Sequence, residues 1–499
     1  MSPVPNNRVP PGWVWAALSE IADIVGGVTK GQKRRAGDEL QQVPYLRVAN
    51  VQRGRLDLDE VKLIEATKAE IAALRLVPGD ILLNEGGDRD KLGRGWVWQG
   101  QIKECIHQNH VFRARLVSGD LSSKYVSHYA NSIGQEYFQA EGRQTTNLAS
   151  INLTKLSGLP VLLPPGSEQH RIVAAIEDHF SRLDEAVALL TRVQRNLKRY
   201  RASVLKAAVE GRLVPTEAAL ARAEGRAYEP AAEAISRTPA PPRPNRWNSR
   251  SEDVIPGHAA LAVGNPQSVL PEGWSWTPLV EVARMESGHT PSREHPEWWD
   301  GEIPWIGIAD AREHDGGVAF DTFQHTNASG LENSAARLLP EGTVCVSRTA
   351  SVGYVVVMGR AMATSQDFVN WIPTATVSSD WLRVVFSVDR EVLRRFGKGS
   401  VHKTIYFPEW LSVHVALPPL AEQTRIVAEV DRLLSMTDSF GAVVSSGLSR
   451  CARLRQSILK WAFEGRLADQ NPADEPASVL LERIRGERAT TFDNPRNRP

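Results

Sequence analysis

The sequence predicts an α+β chain built by tandem duplication. It has two α/β heads, each followed by a long helix, and the two helices pair as an antiparallel coiled coil about a pseudo-twofold. Three observations predict this: an internal repeat, two helical stripes of period 3.5, and short β-branched runs bounded by turn residues.

The repeat is plain in the residues. LPPGSEQHRIVA (163–174) matches LPPLAEQTRIVA (417–428) at nine of twelve positions, an offset of 254. The same offset carries Glu210-Gly211-Arg212-Leu213 onto Glu464-Gly465-Arg466-Leu467. Upstream, GWVWAALSEIA (12–22) matches GWSWTPLVEVA (273–283) at six of eleven positions, offset 261. Residues 44–50 fall on 304–310 at offset 260, and Gln108 falls on Gln366 at 258. The drift marks loop residues lost from the second copy.

The first head, residues 1–165, and the second, 271–418, read as mixed α and β. Runs at 80–83, 110–116, 343–347 and 354–358 are strands, and 123–141 is helical. Positions identical in both heads are scaffold, so Trp13 and Trp274, Trp15 and Trp276, and Leu18 and Leu279 are core. The first long helix occupies 166–213 and the second 419–467. In the first, Ile176, Phe180, Leu183, Val187, Leu190, Val193, Leu197, Tyr200 and Val204 recur every 3.5 residues. In the second, Ile426, Val430, Leu433, Thr437, Phe440, Val444, Leu448, Cys451, Leu454, Ile458 and Trp461 do the same. A sustained 3.5 period is a coiled-coil seam. Each helix follows Pro-Pro, carries Glu168 or Glu422 in its first turn, and stops at Gly211 or Gly465. Ser167 is the expected N-cap of the first. Residues 214–270 form a Pro/Ala/Arg-rich linker with a short helix near 216–227, and 468–499 form a tail with a short helix over 477–488.

Composition narrows the function. There are 59 Lys+Arg against 58 Asp+Glu, a net charge of +1, so bulk charge does not make this chain a polyanion binder. The first head carries a small positive excess and the second is acidic. Three separated cysteines, Cys105, Cys345 and Cys451, give no disulfide or CxxC framework. No signal peptide and no membrane span is expected, which reads as a cytoplasmic protein. Enzyme machinery is sparse. There is no P-loop, no Asn/Asp-Pro-Pro-Tyr/Phe methyltransferase signature, and Glu60-Val61-Lys62 is a lone ExK. Cys105, His107 and His110 have a spacing open to zinc, yet on a strand His110 points away from the other two. No catalytic and no metal residue is assigned.

This layout, head, LPPxxEQxRIV helix, second head and second such helix, resembles the specificity subunit of Type I restriction-modification systems. The GWxW start of each head resembles it too, as does SGHTPS (287–292) followed by IPWI (303–306). The resemblance covers about residues 10–467. The first head departs from it, since GVTKG (27–31) lacks Thr-Pro-Ser, and the interhead linker is long for the family.

The resemblance implies a phage-defence subunit that catalyses nothing. Each head is a target-recognition domain reading one half of a bipartite double-stranded DNA target. The helices set the gap and dock two modification subunits, which bind S-adenosylmethionine and methylate adenine. Restriction subunits add ATP- and Mg-dependent translocation and cleavage, so this chain itself holds no cofactor. Two alternatives remain open: the specificity subunit of a bifunctional methyltransferase-nuclease, and a coiled-coil scaffold that does not read DNA.

Matched loops that differ between heads are where bases are read. One pair is 84–94 against 347–353, with Arg89, Lys91 and Arg94 facing Arg348 and Thr349. A second is 107–110 against 365–367, with His107, Gln108 and Asn109 facing Ser365 and Gln366. A third is 143–147 against 398–403, with Arg143, Gln144 and Asn147 facing Lys398, Ser400, His402 and Lys403. Arginine and lysine suit guanine, amides suit adenine, and amides or hydroxyls suit phosphate. Ile176, Phe180, Leu183, Val187, Leu190, Leu197, Val204, Val430, Leu433, Val444, Leu454 and Ile458 are the coiled-coil or partner-binding set. Arg192, Arg195, Lys198, Arg199, Arg201 and Lys206 give the first helix a basic far half, open to solvent, DNA phosphates or an acidic partner.

Overall fold

The computed structural model describes residues 9–31, 39–87, 91–144, 149–242, 269–349, 351–388, 393, 404–411 and 413–492. They form two units: residues 1–190 with 445–499, and residues 191–444. Each long helix therefore gives its first part to one unit and its last part to the other. Among the described residues no helix is long and apolar enough to cross a membrane.

In the first unit, an antiparallel sheet runs Ala22–Val25, Val111–Leu116, Ile81–Asn84, Gly95–Val97. A second sheet sets Leu40–Leu46 between Ile106–His107, parallel, and Lys62–Thr67, antiparallel. Val14–Ala17 pairs with Pro160–Leu163 and so holds the GWxW segment beside the start of the long helix. The expected helix over 123–141 is two helices, Ser123–Ala130 and Gly134–Glu141. The break falls at Asn131, whose side-chain amide is committed to Gly95, accepting from its N–H at 3.0 Å and donating to its carbonyl at 2.7 Å.

The second unit repeats this plan. Ala283–Ser287, Phe368–Pro373, Val344–Ser347, Val355–Met358 and Gly317–Ala319 make the larger sheet. Trp299–Ile306 lies between His325–Thr326 and Ala363–Thr364 in the smaller one. Ser275–Pro278 pairs with His414–Leu417. Trp13, Trp274, Leu18 and Leu279 are buried core, while Trp15 and Trp276 are half-buried against it.

The repeated Glu-Gln has a physical role in both units. The Trp13 indole N–H donates to Glu168 at 3.1 Å and that of Trp274 to Glu422 at 2.8 Å. Gln169 accepts from Ser122 N–H and Gln423 from Ser378 N–H, each at 2.9 Å. Their amides donate to Pro164 and Pro418 carbonyls, each at 3.0 Å. The motif thus ties the first helical turn to the head. Burial raises the pKa of both glutamates, with the indole bond opposing it.

The long helices are Gly166–Val209 and Leu420–Phe463, and both are followed by a left-handed glycine, Gly211 and Gly465, each at φ 66°. Ser167 is not the N-cap: the helix begins one residue earlier, and its hydroxyl bonds Asp474. In the first unit Asp184 pairs with Arg455, and Leu190 packs over Gly447, so the helices run antiparallel. In the second unit Arg201 pairs with Asp438 at 2.9 Å. The two ion pairs are one motif at the 254 offset, with acid and base exchanged between helices.

The residues expected in the seam are buried to different degrees. Ile176, Val204, Val430, Val444 and Ile458 are buried, and Phe180, Leu183, Leu190, Leu197 and Leu433 are half-buried. Val187 is 36 % exposed and Leu454 37 % exposed, with Ala186 and Arg455 turned inward beside them. Phe440 and Trp461 are also exposed, and Gly441 and Ala462 take their places. A straight helix drifts about 20° per heptad from a 3.5 repeat, so a neighbour replaces the template position after a few heptads.

The described parts of the linker and the tail are folded. Glu217–Glu224 is capped by Thr216, Ala231–Arg237 follows, and the tail forms Ala477–Phe492. The two segments are used alike. Ala231 N–H donates to the Gly273 carbonyl at 2.9 Å, and Ala477 N–H to the Gly12 carbonyl at 2.8 Å. Arg425 pairs with Glu217, and Arg171 with Asp474, each at 2.6 Å. Leu480, Leu481 and Ile484 enter the first unit's core, as Ala231 enters the second's.

Candidate functional site

In each head the first two loops meet, and a residue beyond the third loop, Ile151 or Ile405, bonds to the same point. In the first, the Glu85 main chain is the hub: its N–H donates to the His110 carbonyl at 3.0 Å, and its carbonyl accepts Ile151 N–H at 2.8 Å. In the second, Arg348 makes the same two bonds, to Asp367 O at 2.7 Å and from Ile405 N–H at 2.9 Å. The frame is shared, yet the hub side chain changes from acid to base. The small sheet of Gly86–Gly87, Ala149–Ser150 and Arg143–Gln144 brings the first and third loops of head 1 side by side. In head 2 the Thr349 and Thr404 hydroxyls bond at 2.6 Å.

A glycine in each head lets a fourth segment close on the middle loop. At Gly27 a Cβ would overlap the His107 carbonyl, and at Gly288 the Ser365 carbonyl. Val28 N–H donates to His107 O, and His289 N–H to Thr364 O, both at 2.9 Å. Gln108 N–H donates to Leu46 O at 2.9 Å, and Ser365 N–H to Ile306 O at 3.0 Å. These bonds set the register: Gln108 stands opposite Ser365, and Asn109 opposite Gln366. Gln108 and Gln366, which match by identity in the sequence, therefore stand one residue out of register in the structure.

The candidate readers divide into frame and face. His107 is 0 % exposed; its ring bonds the Val111 carbonyl at 2.6 Å, and burial pulls its pKa down to about 4. Ser365 is 1 % exposed and bonds Asp367 at 3.1 Å. Both belong to the frame, since a buried side chain offers nothing to a groove. Gln366 is exposed and accepts from the Thr290 hydroxyl. Arg348 is half-buried, donates to Gln366 O at 3.1 Å and lies over the Phe407 ring at 4.6 Å. Burial lowers its pKa, which Asp367 opposes. Thr349, Lys91, Arg94, Gln108 and Asn109 are half-buried. Arg143 and Gln144 sit on a strand edge. Arg89, Asn147, Lys398, Ser400, His402 and Lys403 lie outside the described residues.

The Cys105, His107, His110 spacing does not gather into a site. His110 pairs with Glu85, and burial raises the Cys105 pKa to about 12. Among the described residues no three His, Cys, Asp or Glu side chains are placed to hold a metal ion. Sequence reasoning missed Thr290; the Thr-Pro-Ser of 287–292 was the available signal.

Known proteins share this architecture. Residues 271–440 match the family model described as Type I restriction modification DNA specificity domain. The chain is 22% identical to the Type I restriction enzyme EcoKI specificity subunit of Escherichia coli (strain K12), over 97% of each chain. It is 22% identical to the StySPI specificity subunit of Salmonella potsdam over 97% of each, and 25% identical to the EcoBI specificity subunit of Escherichia coli over 96% of this chain and 93% of that one. Among solved structures, a chain from a study of complex assembly and conformational transition of the type I R-M system superposes with TM-score 0.63 at 18% identity, covering 92% of this chain and 99% of that one. The HsdS subunit from Thermoanaerobacter tengcongensis gives TM-score 0.52 at 18% identity, with the same coverage.

Proposed function

We propose that this HsdS-like chain is the DNA-recognition subunit of a Type I restriction-modification complex, and that it reads a bipartite target without catalysing a reaction. One observation carries the reading: both heads build the same loop frame and fill it differently, with Glu85 at the hub of one and Arg348 at the hub of the other. Two half-sites of different sequence need that combination of one scaffold and two faces.

On this reading residues 1–165 and 271–418 are the target-recognition domains, 166–213 and 419–467 the spacer helices, and 214–270 and 468–499 the segments that follow them. The helices set the gap between half-sites and dock two modification subunits. Those partners carry S-adenosylmethionine, and restriction subunits carry ATP and Mg. The complex works in the cytoplasm. Near-zero net charge fits a chain that supplies address while partners supply most of the sequence-independent grip.

Methylome sequencing of cells carrying the complete system, with and without this gene, is the test. One bipartite adenine-methylated motif with a fixed gap is expected to disappear on deletion. A methylome unchanged by deletion would refute the reading.

A further inference from the structure

Head 2 holds a preassembled cation outside the loop pairs that diverge most. Arg293 is exposed at the end of the segment that begins with Ser287. Its guanidinium lies over the Trp299 ring, 3.7 Å from the centroid, and 5.2 Å from that of Trp305. The two indoles meet edge to face at 5.2 Å, and Trp305 Nε1 anchors the arrangement by donating to the His289 carbonyl at 3.1 Å. A guanidinium N–H donates to Gln324 Oε1 at 2.8 Å. The fork is therefore fixed by two rings and an amide.

None of these partners neutralises it. Arg284 and Arg337 pair with Glu286, and Arg383 with Asp380 and Asp431, but among the described residues Arg293 makes no ion pair. Its charge and remaining donors stay available.

Arg293 also belongs with the middle loop. Thr290, three residues before it, bonds Gln366, and Arg348 donates to the Gln366 carbonyl. Gln324, Ser365 and Asp367 line one cavity of about 500 Å³ with Trp305 and Phe323. Gln324, which holds Arg293, and Ser365 and Asp367, which flank Gln366 in sequence, thus share one concavity.

The chemistry favours a base over a phosphate. A rigid planar fork can meet O6 and N7 of guanine in the major groove or two oxygens of a phosphate, so the surroundings decide between them. Glu294, Glu297, Asp300 and Glu302 flank the segment and make it a poor track for the phosphate backbone.

We propose that Arg293 is a specificity-determining residue of head 2, donating to a guanine of the half-site that this head reads. The proposal rests on the DNA-reading role above. The test compares methylomes of cells carrying the complete system with the wild-type chain, Arg293→Ala, Arg293→Lys or Gln324→Ala. Arg293→Ala is expected to relax one position of one half-site, a G·C pair in the wild-type motif, with discrimination there falling about ten- to a hundredfold. The other half-site and the gap stay as they were. Gln324→Ala relaxes the same position less. If Arg293→Ala abolishes methylation altogether, Arg293→Lys decides, since it keeps the charge and loses the fork: relaxation at that G·C pair supports the proposal. An unchanged motif with uniformly weaker methylation in either variant makes Arg293 a phosphate contact and overturns it. A wild-type gene whose deletion removes no motif sinks the DNA-reading role instead, and this proposal with it.

Discussion

Leu481→Ala tests whether the C-terminal helix is part of the first unit's core. Leu481 is 2 % exposed and packs in the cluster that holds Trp13, Tyr125 and Phe463. Val479, two residues earlier on the same helix, is 44 % exposed. Emptying a fully buried leucine site costs about 2–5 kcal/mol, from lost transfer energy and the cavity left behind. For a unit of 150–250 residues each kcal/mol moves the midpoint by roughly 2–4 °C, so a drop of roughly 4–20 °C is expected. Val479→Ala should stay within about 0.5 kcal/mol. Thermal unfolding gives the size of the effect, and hydrogen exchange read by peptide gives its place. Deprotection is expected at Val14–Ala17, Ser123–Ala130 and Ala477–Phe492, with Val344–Ser347 and Phe368–Pro373 unchanged. Equal effects from the two substitutions, or deprotection confined to the tail helix, would refute the reasoning.

Other expectations follow from the same contacts. Gly288→Ala drives a methyl into the Ser365 carbonyl and should abolish reading of one half-site, while Gly27→Ala, which strikes the His107 carbonyl, should abolish reading of the other; methylomes of the two variants then assign heads to half-sites. Arg455→Ala should cost more than Asp184→Asn in thermal unfolding, because the exposed ion pair is worth only about 0.2–1 kcal/mol while Arg455 also covers the Phe180 ring at 4.3 Å. Burial holds the Glu422 pKa above its ordinary 4.5, so the folded chain binds that proton more tightly than the unfolded one. This term favours folding below the ordinary carboxylate range and fades as pH rises through the folded pKa. Glu422→Gln keeps an acceptor for Trp274 and removes the charge, so its stability relative to wild type should rise with pH from 4 to 8; a difference that falls over that range would contradict the burial argument.

Much of this was legible in the residues, for identifiable reasons. The duplication survives as identities at GWxW and LPPxxEQxRIV because Trp13 with Glu168, and Trp274 with Glu422, must be kept together in each copy. The strands at 344–347 and 355–358 announce themselves as β-branched runs, and both long helices by period. The loop register was not legible, since the bonds that set it join residues about 80 apart, as Val28 to His107 does. Nor was Arg293, whose meaning depends on Trp299 and Gln324 coming together through the sheet. The helix Ala231–Arg237 hid in an Ala- and Glu-rich run whose short apolar side only makes sense once Gly273 offers its carbonyl to Ala231.

The division of the long helices between units has a consequence for synthesis. Residues 191–444 are contiguous, so the second unit holds all its parts once its own stretch has left the ribosome. The first unit does not. Its head is made early, but Ile458, Phe463, Leu480, Leu481 and Ile484 of its core emerge only near the end. At about 5–20 residues per second the wait from residue 190 to residue 484 is roughly 15–60 s. During that interval the apolar surface that Leu481 later covers is open to chaperones and to other nascent chains. The head made first is therefore the one finished last, and protease sensitivity of ribosome-bound chains stalled before residue 445 should be concentrated there.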